Sequence, residues 1–137
     1  MSEHLFGEEH VRRYRETNGE VGHDSRRGSK ILLLTTTGRT TGNRTTTPLI
    51  YENDGEDYVV VASQGGAPKH PGWYRNLSKD PNVQVQVKAD VFDARARTAT
   101  GEERERLWKL VTQQWPDYDT YQTRTEREIP VVVLERA

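Results

Sequence analysis

At 137 residues and a net charge of -1, the chain is long enough for one domain with a real core, and it carries no overall electrostatic pull toward nucleic acid. It has no cysteine, which excludes disulfides, thiolate nucleophiles and cysteine-based metal sites together. Only 32% of residues are hydrophobic and mean hydropathy is -0.94, but the apolar residues cluster in short strand-like and helix-like runs, so the chain reads as folded.

Residues 2–17 have a weak apolar stripe (Leu5, Phe6, Val11, Tyr14) that predicts a helix. Packing of this helix on the rest of the chain is the favoured reading; the alternative is a surface helix with Arg12, Arg13 and Arg15 toward lipid headgroups. Asn18-Gly19 ends it, and a polar connector follows to Lys30. Ile31–Thr37 and Thr46–Tyr51 are rich in β-branched residues and read as two strands of a hairpin. The turn between them carries Gly38, Arg39, Gly42, Asn43 and Arg44. Such a turn suits an anion, since arginine forks match phosphate and carboxylate geometry, and it equally suits a plain solvated hairpin tip.

Asn53-Asp54-Gly55 marks a tight turn into a third strand, Asp57–Ala62. The Gly- and Pro-rich loop Ser63–Gly72 has a length that in compact domains often carries function. Pro71 opens a short helix from Gly72 to about Lys79, which puts Trp73, Asn76 and Leu77 on neighbouring faces. Val83–Val87 and Val91–Ala99 alternate as strands with one wet face. Thr100-Gly101-Glu102-Glu103 has the pattern of a capping box for a helix that buries Leu107, Trp108, Leu110 and Val111. A second short helix from Asp117 presents Tyr118 and Tyr121 together, and Val131–Leu134 is the last strand. The sum is a mainly β (α+β) fold of about six consecutive antiparallel strands, a small and partly open barrel, with peripheral helices at the N-terminus, in mid-chain and near the C-terminus.

Familiar catalytic patterns are missing. The 4 histidines lack metal-ligand spacing, so no metal is expected. Ser63 lacks the G-x-S-x-G setting, and neither a dinucleotide fingerprint nor a P-loop occurs. What remains is a set of surfaces. Arg39, Arg44 and the turn hydroxyls can hold an anion, and Ala62–Ala67 offers backbone where Gly65-Gly66 permits close approach. Lys69 adds charge, Trp73 a stacking plane, and Tyr118 and Tyr121 polar tips on apolar rings. These suit a planar, anionic redox cofactor; core or rim packing of the aromatics is the open alternative.

Taken together, LLTTTGRTTG (Leu33–Gly42), TTPLIY (Thr46–Tyr51), VVVASQGGAPKHPGWYRNL (Val59–Leu77), PNVQVQV (Pro81–Val87) and WPDYDTYQTRTEREIPVVVLE (Trp115–Glu135) resemble the deazaflavin-dependent nitroreductase family. The resemblance implies a split β-barrel of the FMN-binding-like type, with residues 1–137 as one F420-binding domain and 1–30 as its N-terminal helix and connector. It implies coenzyme F420, in reduced form, as cofactor, with FMN ranked second. The charged side of the cofactor would fall to Arg39, Thr40, Thr41, Arg44, Thr45 and Thr46. The deazaflavin ring would lie against Thr47, Pro48, Leu49 and Ile50 and against Val61, Ala62, Ser63 and Gln64. Lys69 and the segment Gly72, Trp73, Tyr74, Arg75 and Asn76 would complete the cofactor side. Tyr118, Ser63 and Tyr121 would serve the reaction, with Tyr118 closing over the substrate.

Many relatives have an arginine three residues before the proline, where this chain has Thr45. Its own arginine sits one position earlier, at Arg44, and in a strand would face the opposite side. Gln64 replaces a lysine of some relatives, and Ile50 a tyrosine of one branch. The implied activity is hydride transfer from reduced F420 to a quinone, nitroaromatic or other electron-poor conjugated acceptor. A non-catalytic F420 or flavin carrier is the alternative. Expected partners are a small-molecule acceptor and no nucleic acid, in a monomer or homodimer. The expected location is the cytoplasm, with a peripheral contact at the inner face of the cell membrane as a further expectation.

Overall fold

Strand β1 (Lys30–Thr37) is apolar without alternation because both of its faces are covered. Leu32 and Leu34 turn inward with no exposure, while Ile31 and Leu33 turn outward under Tyr14. In the computed structural model, which describes residues 7–24 and 28–137, Tyr14 belongs to helix α1 (Gly7–Glu16). Its hydroxyl donates to the Ile31 carbonyl at 3.0 Å and accepts the Lys88 N–H at 2.7 Å, pinning the helix to the barrel wall. The expected N-terminal helix is thus seen from Gly7 onward and packs on the barrel; Leu5 and Phe6 lie outside the described residues.

Five further strands follow: β2 (Arg44–Asp54), β3 (Asp57–Val61), β4 (Asn82–Val87), β5 (Asp90–Thr98) and β6 (Val131–Arg136). They form a closed antiparallel barrel in the order β1-β2-β3-β6-β5-β4. The barrel is closed rather than partly open, because β1 pairs with β4 through Leu33↔Gln86, Leu34↔Val85 and Thr35↔Gln84. Strand β2 starts two residues earlier than the β-branched run predicts, since its ladder with β1 continues to Thr37↔Arg44.

The barrel interior holds Leu32, Leu34, Val60, Val85, Val132 and Leu134, all fully buried. Helix α2 (Gly72–Lys79), between β3 and β4, adds Trp73 and Leu77 to this cluster. A second cluster covers the outer face of β3 and β6, where Val59, Val61, Val131 and Val133 meet Leu107 and Val111 of α3 (Gly101–Gln114) and Tyr118 of α4 (Asp117–Thr123). Burying the outward valines explains why VVV runs occur on both strands. The expected capping box at α3 does not form: Thr100 makes no side-chain cap bond. Glu103 is instead held by Arg97, whose Nη2 donates to Oε2 at 2.8 Å. A bidentate guanidinium outcompetes one exposed backbone N–H for the carboxylate.

Candidate active site

The β1–β2 turn is fastened to α2 by Asn76, a buried side chain. Its Oδ1 accepts from the Arg39 backbone N–H at 3.2 Å and from Arg39 Nη1 at 2.8 Å, and its Nδ2 donates to Thr36 Oγ1 at 3.1 Å. Lys79 Nζ donates to the Arg39 carbonyl at 2.8 Å, and Arg39 Nη1 reaches the Gly72 carbonyl at 3.4 Å. One guanidinium is therefore held in a fixed place where the hairpin tip meets the first turn of α2. The register places Arg44 and Thr45 on opposite faces of β2. Thr45 pairs with Thr36, on the face that carries Asn76 and Arg39. Arg44 pairs with Thr37, bonds its Oγ1 at 3.3 Å, and shares the opposite face with Thr46, whose Oγ1 accepts from Arg15 of α1 at 2.9 Å.

The loop after β3 is held from beneath by Arg127. Its guanidinium donates to the carbonyls of Ala67 (2.8 Å), Ser63 (2.7 Å) and Ala62 (3.2 Å), and to His70 Nδ1 at 3.0 Å. The last bond requires a neutral imidazole lone pair at Nδ1. Accordingly His70 is held below its ordinary value of 6.5, by burial first and then by the charges of Arg127 and Arg75. Gly66, at φ +84°, packs so closely on α4 that a Cβ there would stand 2.5 Å from the Tyr121 carbonyl oxygen. Gly65 is the reverse: a Cβ would meet nothing within 4 Å. The loop thus presses one glycine against α4 and turns the other toward open space.

Between this loop, β2 and α4 lies a cleft of about 450 Å³, within the usual range for small-molecule sites. Pro48, Leu49, Ile50 and Val61 supply apolar wall, with Trp73 and Trp115 as broad aromatic planes; Ser63, Gln64 and Gly65 supply a polar edge, and Tyr118 and Tyr121 close the α4 side. The tyrosine rings meet edge to face at 6.1 Å. Tyr118 is buried, and its phenol is pushed above the ordinary range by burial first, then by Tyr121 and Glu52. It is a protonated donor throughout the neutral range. Among the described residues, neither its hydroxyl nor that of Ser63 has a hydrogen-bond partner, and both residues line the cleft.

The structure brings Pro48, Leu49, Ile50, Val61, Ser63, Gln64, Trp73, Tyr118 and Tyr121 together on the cleft wall. Ala62 sits fully buried behind it, with its N–H given to the Pro130 carbonyl and its own carbonyl to Arg127. The Gly66 and Ala67 N–H groups are likewise used locally, on Ser63 and Gln64 carbonyls, so the loop offers fewer free backbone donors than its composition suggests. Thr47 lies opposite Leu34 in the ladder, and Thr40 and Thr41 are exposed at the hairpin tip. Lys69, Tyr74 and Arg75 are not on the cleft wall; Tyr74 instead bonds Thr98 at 2.9 Å and stacks near His70. Asn76 and Gly72 act as fasteners of Arg39 rather than as wall. Sequence reasoning missed Trp115, which a half-exposed aromatic next to a helix-ending proline could have signalled. It also missed Arg127, for which no local signal exists.

A planar tricyclic ring with an anionic extension fits these residues. The aromatic and aliphatic walls match a flat apolar ring, Gly65 allows close approach at its edge, and the fixed Arg39 guanidinium supplies positive charge toward the hairpin tip.

Residues 6–136 match the family model described as F420H(2)-dependent quinone reductase. The F420H(2)-dependent quinone reductase Rv1261c of Mycobacterium tuberculosis (strain ATCC 25618 / H37Rv) is 44% identical over 126 residues, covering 90% of this chain and 85% of the relative. A solved F420-H2 dependent reductase (FDR-A) superposes with a TM-score of 0.71 at 46% identity, covering 77% of this chain and 93% of that one. Another solved structure, described as a domain-swapped dimer, gives a TM-score of 0.74 at 42% identity, with 91% and 96% covered. Barrel and sequence agree, and the chain belongs to the F420H(2)-dependent quinone reductase family.

Proposed function

We propose that this protein reduces a quinone at the cleft beside α4, using reduced coenzyme F420 as the two-electron donor. The observation that carries the reading is the pairing on one wall of a protonated Tyr118, whose hydroxyl has no hydrogen-bond partner among the described residues, with a broad apolar surface, the arrangement a reductase needs to accept a flat substrate and quench the charge it gains. When bound, reduced F420 supplies a hydride from C5 of its deazaflavin ring. Trp73, Leu49, Ile50 and Val61 would hold the ring system and exclude water, and Arg39, with Thr45 on the same face, would hold the anionic side. Gln64 and the Ser63–Gly65 backbone would border the ring edge. On the α4 side, Tyr121 shapes the pocket and Tyr118 donates its hydroxyl proton to the acceptor oxygen that gains charge, with Ser63 as a second donor.

The same donor geometry admits nitroaromatic and other electron-poor conjugated acceptors, because it recognises an oxygen that becomes anionic rather than one carbon framework. Homodimer formation by exchange of an element, as in the domain-swapped relative, is compatible with the closed barrel and falls to a sizing experiment. The function is tested by anaerobic turnover with reduced F420 and menadione, and then with a nitroaromatic acceptor. Stoichiometric, protein-dependent reoxidation of F420 by menadione is expected; binding of F420 without any acceptor-dependent reoxidation would make the protein a carrier.

A further inference from the structure

Tyr118 borders two spaces. One is the cleft; the other is a small cavity between the outer face of β2 and β3 and helices α3 and α4, of about 10 Å³, room for a single water. Ile50, Val61 and Tyr118 are common to both linings. The small cavity is also bordered by Glu52, by Gln114, whose Nε2 donates to the Gly28 carbonyl at 3.4 Å, and by Tyr51, whose hydroxyl is engaged with His23 Nε2 at 2.9 Å. A buried water needs two to four polar partners, and Tyr118, Glu52 and Gln114 are the candidates on this lining. Glu52 opens in turn toward the surface, where Lys30 Nζ stands 3.2 Å from its Oε1 and both side chains are partly exposed.

We propose that Glu52 is a proton-relay residue that resupplies Tyr118 through one water held in this cavity. The inference rests on the reductase reading of the cleft. Hydride transfer oxidises the reduced deazaflavin by two electrons and reduces the acceptor by two. The acceptor oxygen then forms an O–H bond as the Tyr118 O–H bond breaks. Glu52, a carboxylate paired with Lys30, takes a proton from bulk solvent and hands it to the cavity water as that water gives its own proton to the phenolate. The remaining exchangeable proton of the oxidised cofactor goes to solvent, so charge and protons balance. A buried phenol needs such a route, because burial raises the energy of the phenolate left after each turnover. The groups that face Tyr118 are Tyr121 and Trp108 on the helices and Glu52 on β2. Glu52 is the carboxylate among them, and its side chain is partly exposed beside Lys30.

Two measurements test the relay. A high-resolution crystal structure of the ligand-free protein is expected to place one water in hydrogen-bond contact with both Tyr118 Oη and the Glu52 carboxylate, and Glu52→Leu to dry the cavity. In turnover with menadione, Glu52→Gln is expected to keep F420 affinity, to lower kcat by roughly 10-fold out of the 10²–10⁴ that a positioned acid supplies, and to raise the solvent deuterium isotope effect. Gln114→Leu, which removes the water's third partner from α3, should move kcat and the isotope effect in the same direction and guards against a Glu52 variant that folds poorly. A cavity with no water touching both groups, or wild-type kcat and isotope effect in Glu52→Gln, would overturn the relay. Failure of the wild-type protein to bind F420 would strike the reductase reading instead, while the cavity water would still decide whether Glu52 serves Tyr118.

Discussion

Ser63 and Tyr118 both line the cleft, but their surroundings give their hydroxyls different weights. Tyr118 is buried, and burial, then Tyr121 and Glu52, push its phenol above the ordinary range, so it is a protonated donor at neutral pH. Tyr118→Phe removes one oxygen and leaves the ring packing against Trp108 and Tyr121 in place. We expect F420 binding to persist and acceptor reduction to slow by roughly 10²–10⁴, measured as kcat with menadione. Unchanged turnover would remove Tyr118 from the chemistry. Thr45 and Arg44 make a second residue-scale contrast. A one-residue step along a strand exchanges faces, and here it places the hydroxyl rather than the guanidinium beside Arg39.

Among the elements, the loop after β3 and the segment from α4 to β6 behave as one unit. Arg127 makes its loop contacts across 57 to 65 positions of sequence, and Arg124 Nη1 adds a bond to the Gly65 carbonyl at 3.4 Å. Arg127→Met should cost about 2 kcal/mol or more in a denaturant melt, because it leaves several inward carbonyls without a donor, and it should weaken F420 binding as the cleft edge loosens. Gly66→Ala should cost a similar roughly 2 kcal/mol, from its positive φ and the approach of the Tyr121 carbonyl.

His70 makes the same unit sensitive to acid. Its folded value is lowered from 6.5, so the unfolded chain binds the proton more readily; stability is full above about 6.5 and is lost as pH falls through the lowered folded value. Thermal melts across that window should show a fall that His70→Gln reduces.

β-branched runs, alternation and Gly-Pro punctuation located most strand and helix starts to within a residue or two, because those signals are local, whereas β2 runs three residues past Tyr51 to Asp54 and α4 stops at Thr123, well before Pro130. The capping box failed because Arg97, on a neighbouring strand, claims Glu103. Arg127 was invisible because its partners meet only once the barrel closes. The cleft wall was legible only where motifs lie within one segment, as along Pro48–Ile50 and Tyr118–Tyr121.

For the whole molecule, closure of the barrel is what brings those segments together. The β1–β4 seam is its shortest ladder with β1, and Leu34, opposite Val85, is fully buried there. Leu34→Ala should destabilise the protein by about 2–5 kcal/mol, the usual cost of such a cavity in a core, and should do so without a specific effect on the acceptor step once the protein is folded. Helix α1, anchored by Tyr14, covers the outside of that region, and no helix among the described residues is long and apolar enough to cross a membrane. Binding of a deazaflavin in the cleft between β2, the Arg127-held loop and α4 is the proposal on which the catalytic roles depend. It is tested most directly by fluorescence titration of F420, with FMN in parallel, against the wild-type protein at micromolar concentration. Saturable binding of F420, tighter than that of FMN and weakened by Arg39→Ala, is the predicted result; no change in F420 fluorescence at that concentration would contradict it.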